Sequence, residues 1–344
     1  MNQDDIVQPN LAAQDQATPT VIKTSTSLQR ALKTKEIGVL GALIVLTIVM
    51  SFANQYFATT QNIFNLLRSF STIGIMAIGM TMVIVTGGID LSVGSVLAAG
   101  AMTTARLMTY GGLNPWLSVL GGLAMGMILG ATNGLIITKL KVNPFITTLG
   151  MMSIARGMAY LLATGLQGTV ASNIPMKDVG VNFLGAGVLG QMKFPFPVIE
   201  MAVLVIIFSI FLRYTILGRQ IYAVGSNEQA ARLSGVNVDT VRLFVYTLTG
   251  TLCAYAGIMN AGLLSTAATN LGIGNELDVI AAVIIGGTSL SGGEGTIYGA
   301  VIGAAIMAVV RNAFVLLHIP IHWQTVTIGI VIILAVATDR LRKR

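Results

Sequence analysis

The sequence predicts an all-α fold: a polytopic membrane helix bundle of about ten transmembrane helices with the N and C termini both cytoplasmic. Three observations carry that prediction. Of 344 residues only 20 are Lys or Arg and 13 are Asp or Glu, so 10% are charged, where a soluble domain carries about 25%. The mean hydropathy is +0.81, with 39 Gly and 17 Met, and Gly is commoner in spanning helices than in soluble ones. The charges are also spaced so that long runs hold none, and a helix needs about 20 apolar residues to cross the hydrocarbon core. Such continuous runs favour helices over a barrel, whose strands would alternate apolar and polar residues.

Turn signals bound the runs: Gly87-Gly88, Gly111-Gly112 with Asn114-Pro115, Asn143-Pro144, and Pro195 with Pro197. The predicted spans are 37–54, 62–85, 90–109, 116–138, 144–164, 196–213, 243–264, 278–291, 296–316 and 322–338. The eighth is too short to cross comfortably. Basic residues orient the set. With the N-terminus inside, the inner segments hold fourteen: Lys23, Arg30, Lys33, Lys35, Lys139, Lys141, Arg213, Arg219, Arg232, Arg242, Arg340, Arg342, Lys343 and Arg344. The outer segments hold three, Arg106, Lys177 and Lys193. An error of one span would spoil this asymmetry. The domain reading follows: residues 1–36 are a polar, disordered cytoplasmic tail, 37–338 a transmembrane domain, and 339–344 a basic cytoplasmic tail. No cleaved signal peptide is read, because the first apolar run is too long and starts too late.

Several functions are excluded. One cysteine, Cys253, rules out a disulfide scaffold. The net charge of +7 is distributed along loops, which argues against a nucleic-acid partner. No Gly-Lys pair exists to build a phosphate-binding loop. His318 and His322 are separated by Pro320 in a predicted outer loop, so no metal site is expected. No triad or paired carboxylates stand out, so the chain is not read as an enzyme, and no cofactor is expected.

One long polar segment interrupts the second half, at about 214–242. It contains a short helix with marked ends. Ser226 is placed to cap it, with Gln229 completing a capping box, and Glu228 suits the positive end of the dipole. Ala230, Ala231 and Leu233 form a compact apolar face, and Gly235 supplies a left-handed stop. So short a helix is unstable alone in water. It must pack on the spans, on another protein, or on both.

Two glycine strings share the pattern G-G-x-x-L-S-x-G: Gly87-Gly88-Ile89-Asp90-Leu91-Ser92-Val93-Gly94 and Gly286-Gly287-Thr288-Ser289-Leu290-Ser291-Gly292-Gly293. A weaker correspondence pairs Asn133 and Gly150 with Asn312 and Gly329. Internal duplication in transporters places the pathway between the halves. Glycines either let helices approach closely or break them so that free backbone groups line a wet cavity. Asp90 either caps the third span through Ser92 or Val93 or lines the pathway. Gly87, Gly88, Asp90, Ser92, Gly286, Gly287 and Ser291 are the candidate path or helix-break residues. Arg156 is an intramembrane charge that needs a carbonyl or carboxylate partner. Glu200, Glu276 and Asp278 are expected near the outer ends of their spans, where an external protein could dock.

The string from Glu228 to Gly235, EQAARLSG, resembles the "EAA…G" loop of permease subunits in ATP-binding-cassette importers. VGSNEQAARLSGVNV, TGGIDLSVGS and GGTSLSGGEGTIYGAVIGA together resemble the ribose and other monosaccharide permeases, a superfamily shared with branched-chain amino-acid permeases. The strict pattern is altered by Gln229 and by a Gly one position later. The resemblance implies import of a ribose-like monosaccharide or similar small polar solute across the bacterial inner membrane. It also implies an ATPase subunit that binds the ATP, a soluble substrate-binding protein, and a homodimer or a heterodimer with a paralogue. Ser226, Asn227, Glu228, Ala230, Ala231, Arg232 and Gly235 become the ATPase-coupling residues. Arg213 and Arg242 are assigned to membrane lipid headgroups. The alternative is an ion-coupled secondary transporter, which would bury several carboxylates or histidines where the middle of the spans offers almost only Arg156.

Overall fold

Helix boundaries follow from local chemistry in the computed structural model, which describes residues 35–164, 172–191 and 193–342. The proposed tail at 1–36 falls almost wholly outside the described residues. The chain begins with α1 (Lys35–Ala53), α2 (Thr60–Val85), α3 (Val93–Thr109), α4 (Pro115–Lys139) and α5 (Pro144–Ala163). Thr59, Asn114 and Asn143 cap three of these by accepting N–H bonds from Asn62, Trp116 and Phe145. Pro115 and Pro144 occupy first-turn positions, where a missing N–H costs no bond. Then come α6 (Val179–Ala186), α7 (Phe196–Tyr214), α8 (Ile216–Ser226), α9 (Glu228–Leu233), α10 (Val238–Leu264), α11 (Asn275–Ile285), α12 (Ile297–Leu316) and α13 (Ile321–Arg342).

Seven of these helices (α1, α2, α4, α5, α7, α10 and α12) are long and apolar enough to cross a membrane. The other three predicted spans fall on α3, α11 and α13. α3 has 17 residues, and α13 has an apolar stretch at His322–Leu334. α11 has only 11 residues, about 16 Å at a rise of about 1.5 Å per residue, or roughly half of the hydrocarbon core. The fold is predominantly helical, with a difference from the all-α expectation. β1 (Asn173–Pro175) pairs antiparallel with β4 (Thr266–Ala268), and β2 (Val188–Leu189) with β3 (Phe194–Pro195). These ribbons satisfy extended backbone in the connections around α6 and after α10.

The core is built around α2 and α10. Every residue of α2 from Ser71 to Val85 is buried, and α10 packs against α2, α3, α4 and α6. Glycine makes those contacts close. A Cβ at Gly126 would land on the Gly250 carbonyl, and one at Gly130 on the Tyr246 carbonyl. Between apolar helices in lipid, close packing and interhelical bonds take over from the hydrophobic effect. Asn62 and Asn312 exchange amide bonds of 3.0 and 2.7 Å between α2 and α12. On the outside, Phe52 of α1 and Ile206, Ile207 and Ile210 of α7 stay exposed, as a lipid-facing surface requires.

These contacts set a specific expectation. Gly130→Val should lower the thermal stability of the detergent-purified chain by about 1–3 kcal/mol, the usual cost of overpacking. Gly150→Ala, whose Cβ meets open space, should leave the unfolding temperature within error.

Candidate functional site

The polar segment folds into two short helices, α8 and α9, and the start of α10. The cap of α9 is Asn227, whose side chain accepts the Ala230 N–H at 2.9 Å. Ser226 instead ends α8, so the predicted Ser226–Gln229 capping box does not form. The chain turns extended one residue later, at Asn227 (φ −160°, ψ 104°). The stop at Gly235 is left-handed (φ +82°). There the Gly235 N–H bonds to the Arg232 carbonyl and the Val236 N–H to the Ala231 carbonyl, both at 3.0 Å. This double bond pattern closes the helix end.

The apolar face of α9 is not the single surface expected. Ala231 is buried, whereas Ala230 is exposed and Leu233 is 91% exposed. One side of the helix seats on the bundle and the other presents a bare leucine. Ion pairs fix this orientation. Arg232 bonds Glu228 at 2.9 Å and Asp239 at 3.0 Å, Arg242 bonds Glu228 at 2.7 Å, and Lys141 reaches Asp239 at 3.1 Å. Partial burial is the largest single influence on Glu228 and pushes its carboxyl up. The bonds and charges of Arg232 and Arg242 together outweigh it and hold the carboxyl below its ordinary value. Arg242 therefore serves this network rather than lipid headgroups. Arg213 lies over the Tyr214 ring, 5.5 Å from its centroid.

Both glycine strings end a helix in the same way. Gly87 (φ +79°) and Gly287 (φ +93°) are left-handed. Gly87 and Gly88 donate to Ile84 and Val83, and Gly287 and Thr288 donate to Ile284 and Val283. The structural match thus pairs Gly87 with Gly287, one residue away from the sequence alignment, which pairs Gly87 with Gly286. Gly286 has a different use, packing against Gly299 so closely that a Cβ on either would strike the other's carbonyl. Ser291 is exposed in the loop beyond.

Of the two bonds expected of the Asp90 carboxylate, the one to the Ser92 N–H forms, just ahead of α3, where Ser92 takes the N-cap position. The Asp90 Oδ1 accepts from the Ser92 N–H at 2.8 Å and the Ser92 hydroxyl at 2.5 Å. Asn133 of α4 donates to the same hydroxyl at 3.0 Å. The Tyr246 hydroxyl lies against Gly88. Asp90, Ser92, Asn133 and Tyr246 are all buried, forming a polar knot under the first break. Asn133 and Asn312, matched in the sequence, thus serve different partners.

Residues outside the candidate set join these parts. Gly225 of α8 sits where any Cβ would strike the Val85 carbonyl. Gly293 donates to that carbonyl at 2.9 Å, and the Tyr222 hydroxyl donates to Gly295 at 2.8 Å. α8 is wedged against both breaks at one end of the bundle. The signal for this was the glycine pair at 292–293 and Gly225 beside the polar segment, legible only once the two breaks are adjacent. Glu200, Glu276 and Asp278 do not form an outer acidic surface. Asp278 is fully buried and ion-paired with Arg311, Glu200 bonds Tyr255, and Glu276 lies against Gly94. Among the described residues no three His, Cys, Asp or Glu side chains gather as a metal-ligand set.

Residues 62–336 match the family model described as branched-chain amino acid transport system / permease component. The chain belongs to this permease family. The ribose import permease protein RbsC of Escherichia coli (strain K12) is 40% identical over 302 residues, covering 88% of this chain and 92% of the relative. The protein of the same description from Bacillus subtilis (strain 168) is 40% identical over 309 residues, covering 89% and 93%. The L-arabinose ABC transporter permease protein AraH of Azospirillum brasilense is 34% identical over 306 residues, covering 89% and 88%. No solved structure matches the chain. This family member is a multi-pass protein of the bacterial inner membrane and not itself an enzyme.

The loop geometry yields two expectations. Asn227→Ala removes a cap, worth about 1 kcal/mol, and should raise amide hydrogen exchange across α9 several-fold without altering exchange in α10. The second concerns pH. Because the Glu228 carboxyl is held below its ordinary value of 4.5, its contribution is complete above that value and is lost as pH falls through the lower folded value. Exchange protection of α9 should therefore be the same at pH 7 and pH 5.5 after correction for intrinsic rates, and should drop in the acid range below about pH 4.

Proposed function

We propose that this chain forms the translocation path of an ATP-binding-cassette importer for a monosaccharide, ribose-like, or a similar small polar solute. The observation that carries the reading is α9: it is locked to the bundle by Glu228, Arg232, Asp239 and Arg242, yet turns Ala230 and the bare Leu233 outward. A helix held rigidly on one side and apolar on the other is suited to seat in a groove on a separate ATPase. That partner binds and hydrolyses the ATP, so this chain needs no cofactor. The relatives' descriptions as ribose import and L-arabinose permeases support the solute class.

Ten crossings with both termini cytoplasmic fit the fourteen-to-three basic asymmetry. They place both helix breaks, α8 and α9 on the cytoplasmic side, with residues 1–36 and 339–344 as cytoplasmic tails. The eighth crossing is completed by the extended segment 265–274 together with α11. A soluble binding protein delivers the solute, and two such subunits, identical or paralogous, enclose the path. α8 then carries the motion of α9 to the breaks after α2 and α11. An ion-coupled transporter has no counterpart among these relatives.

Glu228→Lys reverses the charge that holds Arg232 and Arg242. It should abolish sugar uptake in cells and co-purification with the ATPase, while leaving membrane insertion at the unsubstituted level. Leu233→Asp, which touches nothing in the bundle, should weaken ATPase co-purification at least tenfold with unchanged thermal stability. Uptake by the purified chain in vesicles without ATP or partners would end the importer reading.

A further inference from the structure

The ten residues between α10 and α11, Ser265 to Gly274, are not helical. They leave β4 and run toward the interior of the bundle. Gly272 and Glu276 come to rest against Gly94, in the first turn of α3: a Cβ on Gly94 would strike the Gly272 carbonyl and the Glu276 carboxylate. Arg156, about 18 Å along α5 at about 1.5 Å per residue, donates at 2.8 Å to the carbonyls of both Thr269 and Leu271. α11 covers only about half of the membrane from this point to its glycine stop. The segment and the first turn of α11 thus lie near the middle of the membrane's depth.

Four charges meet there. Arg156 and Glu276 are within electrostatic reach of each other, as are Glu276 and Asp278. Asp278 is ion-paired with Arg311 of α12. The Asp278–Arg311 pair lies on the packed side, with Asp278 fully buried. Arg156 and Glu276 are partly open, and Asn270 is exposed beside them. Irregular backbone and charged side chains at this depth are not tolerated against lipid. They persist only when covered by protein or lining water.

We propose that Arg156, Glu276 and Asn270 form a solute-contact station midway along the path, which binds a neutral polyhydroxylated ligand of monosaccharide size. The two acids and two bases sum to no net charge, so the station does not favour an ion. An arginine beside a carboxylate offers donors and acceptors together, the pattern that adjacent sugar hydroxyls match, and Asn270 adds one of each. Arg156 also holds the Thr269 and Leu271 carbonyls, so the station is fixed before solute arrives. This rests on the importer reading and deepens it by naming where the solute is checked inside the membrane.

The test combines two measurements. Cys253 is buried, so a cysteine introduced at Asn270 can be followed in the assembled transporter with a polar, membrane-impermeant thiol reagent. Asn270→Cys should be labelled, and Ile207→Cys on the lipid face should not. In cells with the ATPase and binding protein, uptake of radiolabelled D-ribose and L-arabinose is compared for Glu276→Gln, Arg156→Lys and Asn270→Ala. At least one variant should shift the ratio of the two uptakes about tenfold, the loss of one hydrogen bond to a charged group, at unchanged insertion. Labelling at 270 with a shifted ratio supports the station. Absence of labelling, as when a neighbouring protein surface covers the segment dry, overturns it, and so does an unchanged ratio in all three variants. Either result leaves ATP-dependent uptake, and so the importer reading, standing. Should the substitutions stop uptake altogether, the labelling, which needs no transport, decides.

Discussion

Every backbone N–H and C=O placed at membrane depth must be bonded within the protein or wetted in a cavity that it encloses, and the rest of this structure depends on meeting that demand where helices stop. Four devices meet it. Left-handed glycines at Gly87 and Gly287 fold the last carbonyls of α2 and α11 back onto following N–H groups. The Gly293 N–H closes the Val85 carbonyl from another part of the chain. β1 pairs with β4 where the chain leaves α10. Arg156 supplies guanidinium donors to the two carbonyls that neither strand nor helix reaches. Helix interruption is therefore concentrated at a few places, each of them chemically closed.

Much of the architecture was legible because it depends on composition and spacing. Charge-free runs report spanning helices directly, and Asn-Pro pairs mark starts at Asn114 and Asn143 since cap and first-turn preferences are local. The helix in the polar segment was also legible, and so was its stop at Gly235. Its start was displaced by one residue because Ser226 and Asn227 are both good caps, and only the tertiary course of α8 decides between them. The one-residue offset between the glycine strings has the same origin. Sequence similarity aligns glycines, whereas structure aligns left-handed positions, and Gly286 is used for packing on Gly299.

What stayed hidden depends on three-dimensional neighbours. Asp278 looked like an outer carboxylate because it follows a long apolar stretch, but that stretch is followed by a segment that turns inward, and Asp278 ends opposite Arg311. The spans consequently hold more charge than their sequence suggested. Scarce charge therefore does not separate this chain from ion-coupled transporters, whereas its family relationship does. The split of α9 into an inward Ala231 and an outward Leu233 was equally invisible, since six residues contain too little periodicity to fix a face.

The meeting of α8 with the two breaks has a mechanical side. Around Gly225 the touching atoms, the Val85 carbonyl and the Gly293 N–H, belong to main chain, and only the Ser226 hydroxyl adds a side chain against Gly293. Side chains act as soft bumpers, because rotamers can change and take up a displacement of an ångström or more. Main chain pressed on main chain has no such slack. The joint is therefore stiff in compression where α8 meets the end of α2 and the Gly292–Gly293 turn, while its small hydrogen-bond count leaves it compliant in tension. Such a joint is directional, resembling a strut more than a tether.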